Sequence, residues 1–122
     1  MIRIPKKSHP EHDLQVAIHK ELKKVGIFHF SVPNGQKRGL LVGRSLKAEG
    51  SLRGVSDLII LLPSHCIFVE VKNGKKGIQS EEQKVFQKKV ESLGFGYFIW
   101  RNLNDCMDFI EKVVRFGLNK NV

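Results

Sequence analysis

The chain has 122 residues, 41% hydrophobic and 27% charged, which excludes a disordered or fibrous protein and points to one packed domain, residues 1–122. No apolar run is long enough to span a bilayer and no secretory leader opens the sequence, so a membrane protein is not expected. The formal net charge of +9 is uneven: residues 1–56 carry 11 Lys/Arg against 4 acids, and residues 57–122 carry 10 against 8. A basic half favours a polyanionic partner, nucleic acid before others.

Helical spacing of Glu11, Gln15, Ile18, Leu22 and Val25, with Leu14 beside them, predicts a first helix from about His9 to Val25, stopped by Gly26. Ile27–Val32 reads as a short strand ending in the turn signal Pro33-Asn-Gly35. Residues 35–56 are Gly-punctuated and basic (Lys37, Arg38, Arg44, Lys47, Arg53), with a short helix expected over 40–48. Ile59–Leu62 and Cys66–Val71 are two strands joined through Pro63-Ser64-His65, most simply as a hairpin. A basic loop, Asn73-Gly-Lys-Lys-Gly77, precedes a helix from Ser80 to Leu93 with Gln83, Phe86, Val90 and Leu93 on one stripe. A strand, Phe95–Trp100, and an amphipathic helix, Asn104–Phe116, complete the chain, the latter using Cys106, Phe109, Ile110 and Val113. The order αβ(α)ββαβα describes a mixed central sheet flanked by helices. Trp100 and the eight phenylalanines are expected to fill the core. Cys66 and Cys106 read as reduced thiols in a cytoplasmic setting.

Three residues carry the chemistry: Asp57, Glu70 and Lys72. Each acid lies at one end of an apolar strand, and strand alternation sets Glu70 and Lys72 on the same face, with Val69 and Val71 on the other. Charges at the end of an apolar strand are expensive as packing unless they are paired or hold a metal. Register decides whether the acids meet. A four-residue loop, Leu62–His65, pairs Leu61 with Cys66 and puts Asp57 opposite Glu70; a three-residue loop puts the acids on opposite faces. In the first case the two carboxylates, with the backbone carbonyl of Val71, offer hard oxygen ligands for Mg²⁺ or Mn²⁺. Lys72 is then placed to orient water or to balance charge on phosphorus, the requirements of phosphodiester cleavage.

The pattern Asp57…Glu70-Val-Lys72 after a Glu-bearing helix resembles the PD-(D/E)xK nuclease superfamily. More narrowly, the chain resembles the virus-type replication–repair nuclease (VRR-NUC) family. The resemblance runs through Glu11 with Gln15, Val32-Pro-Asn-Gly35 with Arg38, Leu46-Lys-Ala-Glu-Gly50, Gly54-Val-Ser-Asp-Leu58, Phe68-Val-Glu-Val-Lys72, Ser80-Glu-Glu-Gln83 and the Phe95–Trp100 strand, roughly Glu11 to Arg101. Each piece is weak alone; their order and spacing are specific. The resemblance implies a restriction-endonuclease-like α/β fold, with Asp57 and Glu70 as metal ligands and Lys72 as the catalytic lysine. It further implies Glu11 as an additional acid near the metal and Gln83 as a helix residue reaching the site. Ser56 departs from the family, which usually has proline there; geometry rather than chemistry should be affected. The implied activity is a Mg²⁺/Mn²⁺-dependent DNA endonuclease, of the stand-alone and often phage-encoded kind, acting as a homodimer on branched or Holliday-junction DNA in repair. Products with 5′-phosphate ends, a bacterial or phage-infected cytoplasm, and no small-molecule cofactor follow from the same resemblance.

Plainer readings stand beside these. Ser8-His-Pro-Glu11 and Ser80-Glu-Glu-Gln83 both fit capping boxes. Asp57 fits an aspartate opening a strand, and Glu70 with Lys72 fits a surface ion pair. Asn34 fits the Pro-Asn-Gly turn, and Lys37, Arg38, Arg44, Lys47, Arg53, Lys75 and Lys76 are solvated surface by default; on a nuclease all of these become DNA-phosphate contacts. His9, His12 and His19 lack a cysteine pair or a His-Glu-x-x-His pattern, which argues against zinc.

Overall fold

A computed structural model describes residues 9–33 and 48–118. Its elements are α1 (Pro10–Lys24), β1 (Phe28–Ser31), β2 (Leu58–Leu62), β3 (His65–Val71), α2 (Glu81–Ser92), β4 (Gly96–Trp100) and α3 (Leu103–Arg115). Each expected boundary moves by no more than two residues. The helix expected over 40–48 lies outside the described residues except for Ala48.

Glycines placed just past the apolar stripes stop the three helices α1, α2 and α3 of the described residues in the same way. At the end of α1, Gly26 takes φ 71°, its N–H donates to the Lys23 carbonyl (3.1 Å), and the Ile27 N–H donates to the Leu22 carbonyl (3.0 Å). This Schellman closure satisfies carbonyls that the helix end would otherwise orphan. Gly94 and Gly117 close α2 and α3 with the same pair of bonds.

The strands form one mixed sheet in the order β1-β2-β3-β4, with the first two pairings antiparallel and β3–β4 parallel. A parallel pairing needs a crossover, and α2 provides it. Between β2 and β3, Leu62 pairs with His65, Leu61 with Cys66 and Leu58 with Val69. Only Pro63 and Ser64 lie outside the ladder. Ser64 takes φ 62° directly after a proline, which fits a type II turn. The loop is thus tighter than the four residues expected, but the register is the one that carries Asp57 to a position opposite Glu70.

Register also sorts the sheet into two faces. Leu58, Ile60, Leu62, Val69, Val71 and Trp100 point one way and are buried with Ile18 and Leu22 of α1 and Cys106, Ile110 and Val113 of α3. The other face carries Asp57, Ile59, Phe68, Glu70 and Tyr97, and α2 covers its β4 side through edge-to-face contacts of Phe86 with Phe68 and Tyr97. Trp100 is in the core as expected, whereas the phenylalanines are not. Phe28, Phe30, Phe95, Phe98 and Phe116 are exposed, and no phenylalanine is fully buried. The reason is topological for Phe28 and Phe30: they share the α2 face, but α2 packs over β4, at the opposite edge of the sheet from β1. Leu93, expected on the inner stripe of α2, is its C-cap and is exposed.

Candidate active site

Asp57 enters the site just before the first β2 residue. Its backbone carbonyl accepts from the Val32 N–H (2.8 Å), and its Oδ2 accepts from the Val71 N–H (2.7 Å). The carboxylate therefore spans to the end of β3, where Glu70 and Lys72 leave the same face. Ser56, the residue before it, is wholly buried, and its Oγ donates to the Leu58 carbonyl (3.2 Å). That bond arches over Asp57 and pins the backbone by a hydrogen bond where a proline would do so by its ring.

Glu70 is only 2% exposed. Gln83 Nε2 donates to its Oε1 (2.9 Å), Lys72 Nζ stands 4.0 Å from the same oxygen, and the buried Oε2 is reached by no donor among the described residues. Burial foremost pushes the carboxyl from 4.5 up to about 9; hydrogen bonding to Asp57 and the charges of Asp57 and Glu11 act in the same direction, and Lys72 acts against them. Glu70 is thus held in its protonated form at neutral pH, beside the Asp57 carboxyl. An orphaned carboxyl oxygen beside a second carboxylate suits a hard divalent cation, which would take the place of the proton. Among the described residues no three His, Cys, Asp or Glu side chains converge on one point, so the carboxylate pair is the whole acidic set.

Gln83 serves both roles that its spacing suggested. Ser80 Oγ accepts from the Gln83 N–H (3.2 Å) and Gln83 Oε1 accepts from the Ser80 N–H (2.8 Å), a complete capping box. The amide's other end remains free to reach Glu70. Helix capping and carboxylate contact are therefore made by opposite ends of one side chain. Glu11 stands apart. It lies in the exposed first turn of α1, in an open cleft with His9, Pro10, His12 and Asn73, and only its charge reaches Glu70. The capping-box alternative for Glu11 fails, because α1 is capped by His9 without a side-chain bond, which makes Glu11 the second helical residue rather than the third. Ser8 lies outside the described residues.

Lys72 is held from behind. A Cβ on Gly77 would lie 2.7 Å from the Lys72 Cβ, so the loop presses on the lysine stem. The Arg101 guanidinium donates to the Gly74 and Gly77 carbonyls (2.9 and 2.5 Å), and the Arg101 N–H donates to Asp105 Oδ2 (2.8 Å) in the first turn of α3. Gly54 does similar work at α2: with φ 82°, a Cβ there would meet the Glu82 carbonyl oxygen at 2.4 Å. Tyr97 lies on the same sheet face, accepts from Gln79 Nε2 (3.2 Å), and is pushed up to about 12, chiefly by burial. The roles of Gly54, Gly77 and Arg101 were not read from the sequence. The one available signal was glycine beside the site strands; what each glycine touches comes only from tertiary packing. Of the expected DNA contacts, Arg53, Lys75 and Lys76 are exposed, the last two on the loop beside Lys72. Asn34, Lys37, Arg38, Arg44 and Lys47 lie outside the described residues. No helix among the described residues is long and apolar enough to cross a membrane.

No protein-family model matches the chain. No curated protein matches it in sequence. Solved structures do. One described as a "VRR_NUC domain protein" superposes with a TM-score of 0.71 at 16% identity, over 89% of this chain and 91% of that one. Another, described as a "VRR_NUC domain", gives 0.64 at 19% identity, over 85% and 97%. The chain thus has a VRR-NUC-like α/β fold at low sequence identity to these structures.

Proposed function

We propose that this chain is a Mg²⁺- or Mn²⁺-dependent DNA endonuclease that hydrolyses phosphodiester bonds, prefers branched or junction DNA, and acts as a homodimer. The observation that carries the reading is the buried Glu70, its Oε2 reached by no donor among the described residues, beside the half-buried Asp57 and next to Lys72 and Gln83. Asp57 and Glu70 would hold the cation, with the Val71 carbonyl as a further oxygen. When bound, the cation supplies positive charge to the phosphoryl group and makes water more acidic. Glu70 would serve as a ligand in its ionised form, and Gln83 keeps its Oε1 oriented. Lys72, its stem braced by Gly77, places an ammonium at the rim of the carboxylate pair, where it orients the attacking water and balances charge that develops on phosphorus. In-line attack by water that breaks the bond to the 3′-oxygen releases a 3′-hydroxyl and leaves a 5′-phosphate. Arg53, Lys75 and Lys76, with Asn34, Lys37, Arg38, Arg44 and Lys47, would hold the DNA backbone without reading sequence. A small basic protomer presents little surface to a branched substrate, which favours two copies and two sites.

The absence of a third converging acid among the described residues favours one other reading, a catalytically silent nucleic-acid-binding module on this fold. Cleavage of labelled single-stranded, duplex, flap and four-way-junction DNA, with sedimentation of the same samples, separates the two. The nuclease reading predicts cutting in Mn²⁺ that EDTA abolishes, fastest on the junction, by a dimer. Binding of all four DNAs without cutting would establish the silent module. Preference for flaps, ends or plain duplex would retain the nuclease and remove the junction assignment.

A further inference from the structure

The fold brings together two histidines that are ten residues apart in sequence. His19 lies on the exposed side of α1 and His29 on β1, opposite Ile60 in register. His19 Nδ1 and His29 Nε2 are 2.7 Å apart, with the rings at 63°. The tautomer of His29 is settled by its other nitrogen. His29 Nδ1 lies 2.8 Å from the Ile27 carbonyl oxygen. A carbonyl can only accept, so Nδ1 carries the hydrogen, and the Nε2 lone pair accepts from the His19 Nδ1–H, a proton that a metal ion would displace.

An imidazole whose far N–H is tied to a backbone carbonyl while its near nitrogen faces a second ligand is the usual arrangement of a metal-binding histidine. Two imidazole nitrogens on one tetrahedral zinc ion stand about 3.3 Å apart, so the pair needs to open by about 0.6 Å. The exposed His19 can supply that movement by side-chain rotation, since nothing encloses it. The ligand chemistry also differs from that of the carboxylate pair: imidazole nitrogens favour zinc and its first-row neighbours, whereas carboxylate oxygens favour magnesium and manganese. The sequence argued against zinc because His9, His12 and His19 lack a cysteine pair or a His-Glu-x-x-His pattern; the partner of His19 comes instead from β1. We propose that His19 and His29 form an accessory Zn²⁺ site, completed by water, that ties α1 to β1 independently of the nuclease reading.

The test uses the untagged full chain and its His19→Ala, His29→Ala and His65→Ala variants. Thermal unfolding is followed in EDTA and in Zn²⁺, with histidine ring resonances recorded by NMR during Zn²⁺ titration. At a free Zn²⁺ concentration ten times Kd, the wild type should gain roughly 5 °C in Tm, with the His65→Ala variant gaining as much. His19→Ala should lose the gain while keeping its melting point in EDTA, because the position is exposed and alanine favours helix. The His19 and His29 ring signals should move before those of His9, His12 and His65. No gain in the wild type, or an equal gain in His19→Ala, would overturn the proposal. First movement of the ring signals at any other histidine would overturn it as well.

Discussion

Replacing Glu70 by glutamine tests the state of the buried acid pair without disturbing its shape. The unfolded glutamate titrates near 4.5 and the folded one near 9. At pH 7 folding must therefore return a proton to Glu70, and the roughly 2.5 pH units between 4.5 and 7 make this cost at most about 3 kcal/mol. Glutamine incurs no such cost, and its amide can hydrogen bond as the protonated acid does, both to Gln83 and toward Asp57. The direction with pH follows from the raised value. The stability of the metal-free wild type associated with Glu70 is fully present below about 4.5 and falls progressively as pH rises toward 9. Urea denaturation in EDTA should show Glu70→Gln more stable than the wild type by up to about 3 kcal/mol at pH 7 and by under about 1 kcal/mol at pH 5. DNA cleavage by the same variant should be lost. Equal stability of the two proteins from pH 5 to 8, or a less stable variant at pH 7, would refute the protonated, charge-crowded pair.

Two further substitutions probe how the site is braced. Arg101→Ala removes the clamp on the Gly74 and Gly77 carbonyls, so trypsin should cut after Lys75 or Lys76 faster than in the wild type, and kcat should fall by roughly tenfold or more with KM little changed; unchanged proteolysis would show that the loop holds without it. Gly54→Ala places a Cβ 2.4 Å from the Glu82 carbonyl oxygen at a positive φ, which should cost about 1–3 kcal/mol in urea denaturation and weaken cleavage by displacing Gln83; a variant of wild-type stability would contradict that packing.

Much of the fold was legible because the controlling signals are local. Helical spacing and a following glycine located α1, and the apolar runs around Pro63-Ser64 located the β2–β3 hairpin. Asp57, Glu70 and Lys72 were legible as a group because alternation is strict within a strand, although their meeting depended on a register that periodicity alone left open. Three things were not legible, each for a tertiary reason. The phenylalanines looked like core, but hydrophobicity does not say which part of a sheet face its helix covers. Gln83 fitted both a cap and a site residue, and no spacing rule says that one amide can serve both with its two ends. Arg101 reads as a surface cation, and only the return of β4 beside β3 brings it under the 74–77 carbonyls.

If Asp57 and Glu70 together hold the divalent cation for DNA cleavage, metal binding and proton release must go together. Calorimetric Mn²⁺ titration at pH 7 in buffers of different ionisation enthalpy, followed by cleavage of a four-way junction by the same sample, measures both. The wild type should bind Mn²⁺, release about one proton as Glu70 becomes a ligand, and cut, whereas Asp57→Ala should do none of these. Cleavage by Asp57→Ala, or a wild type that binds no Mn²⁺, would contradict that assignment.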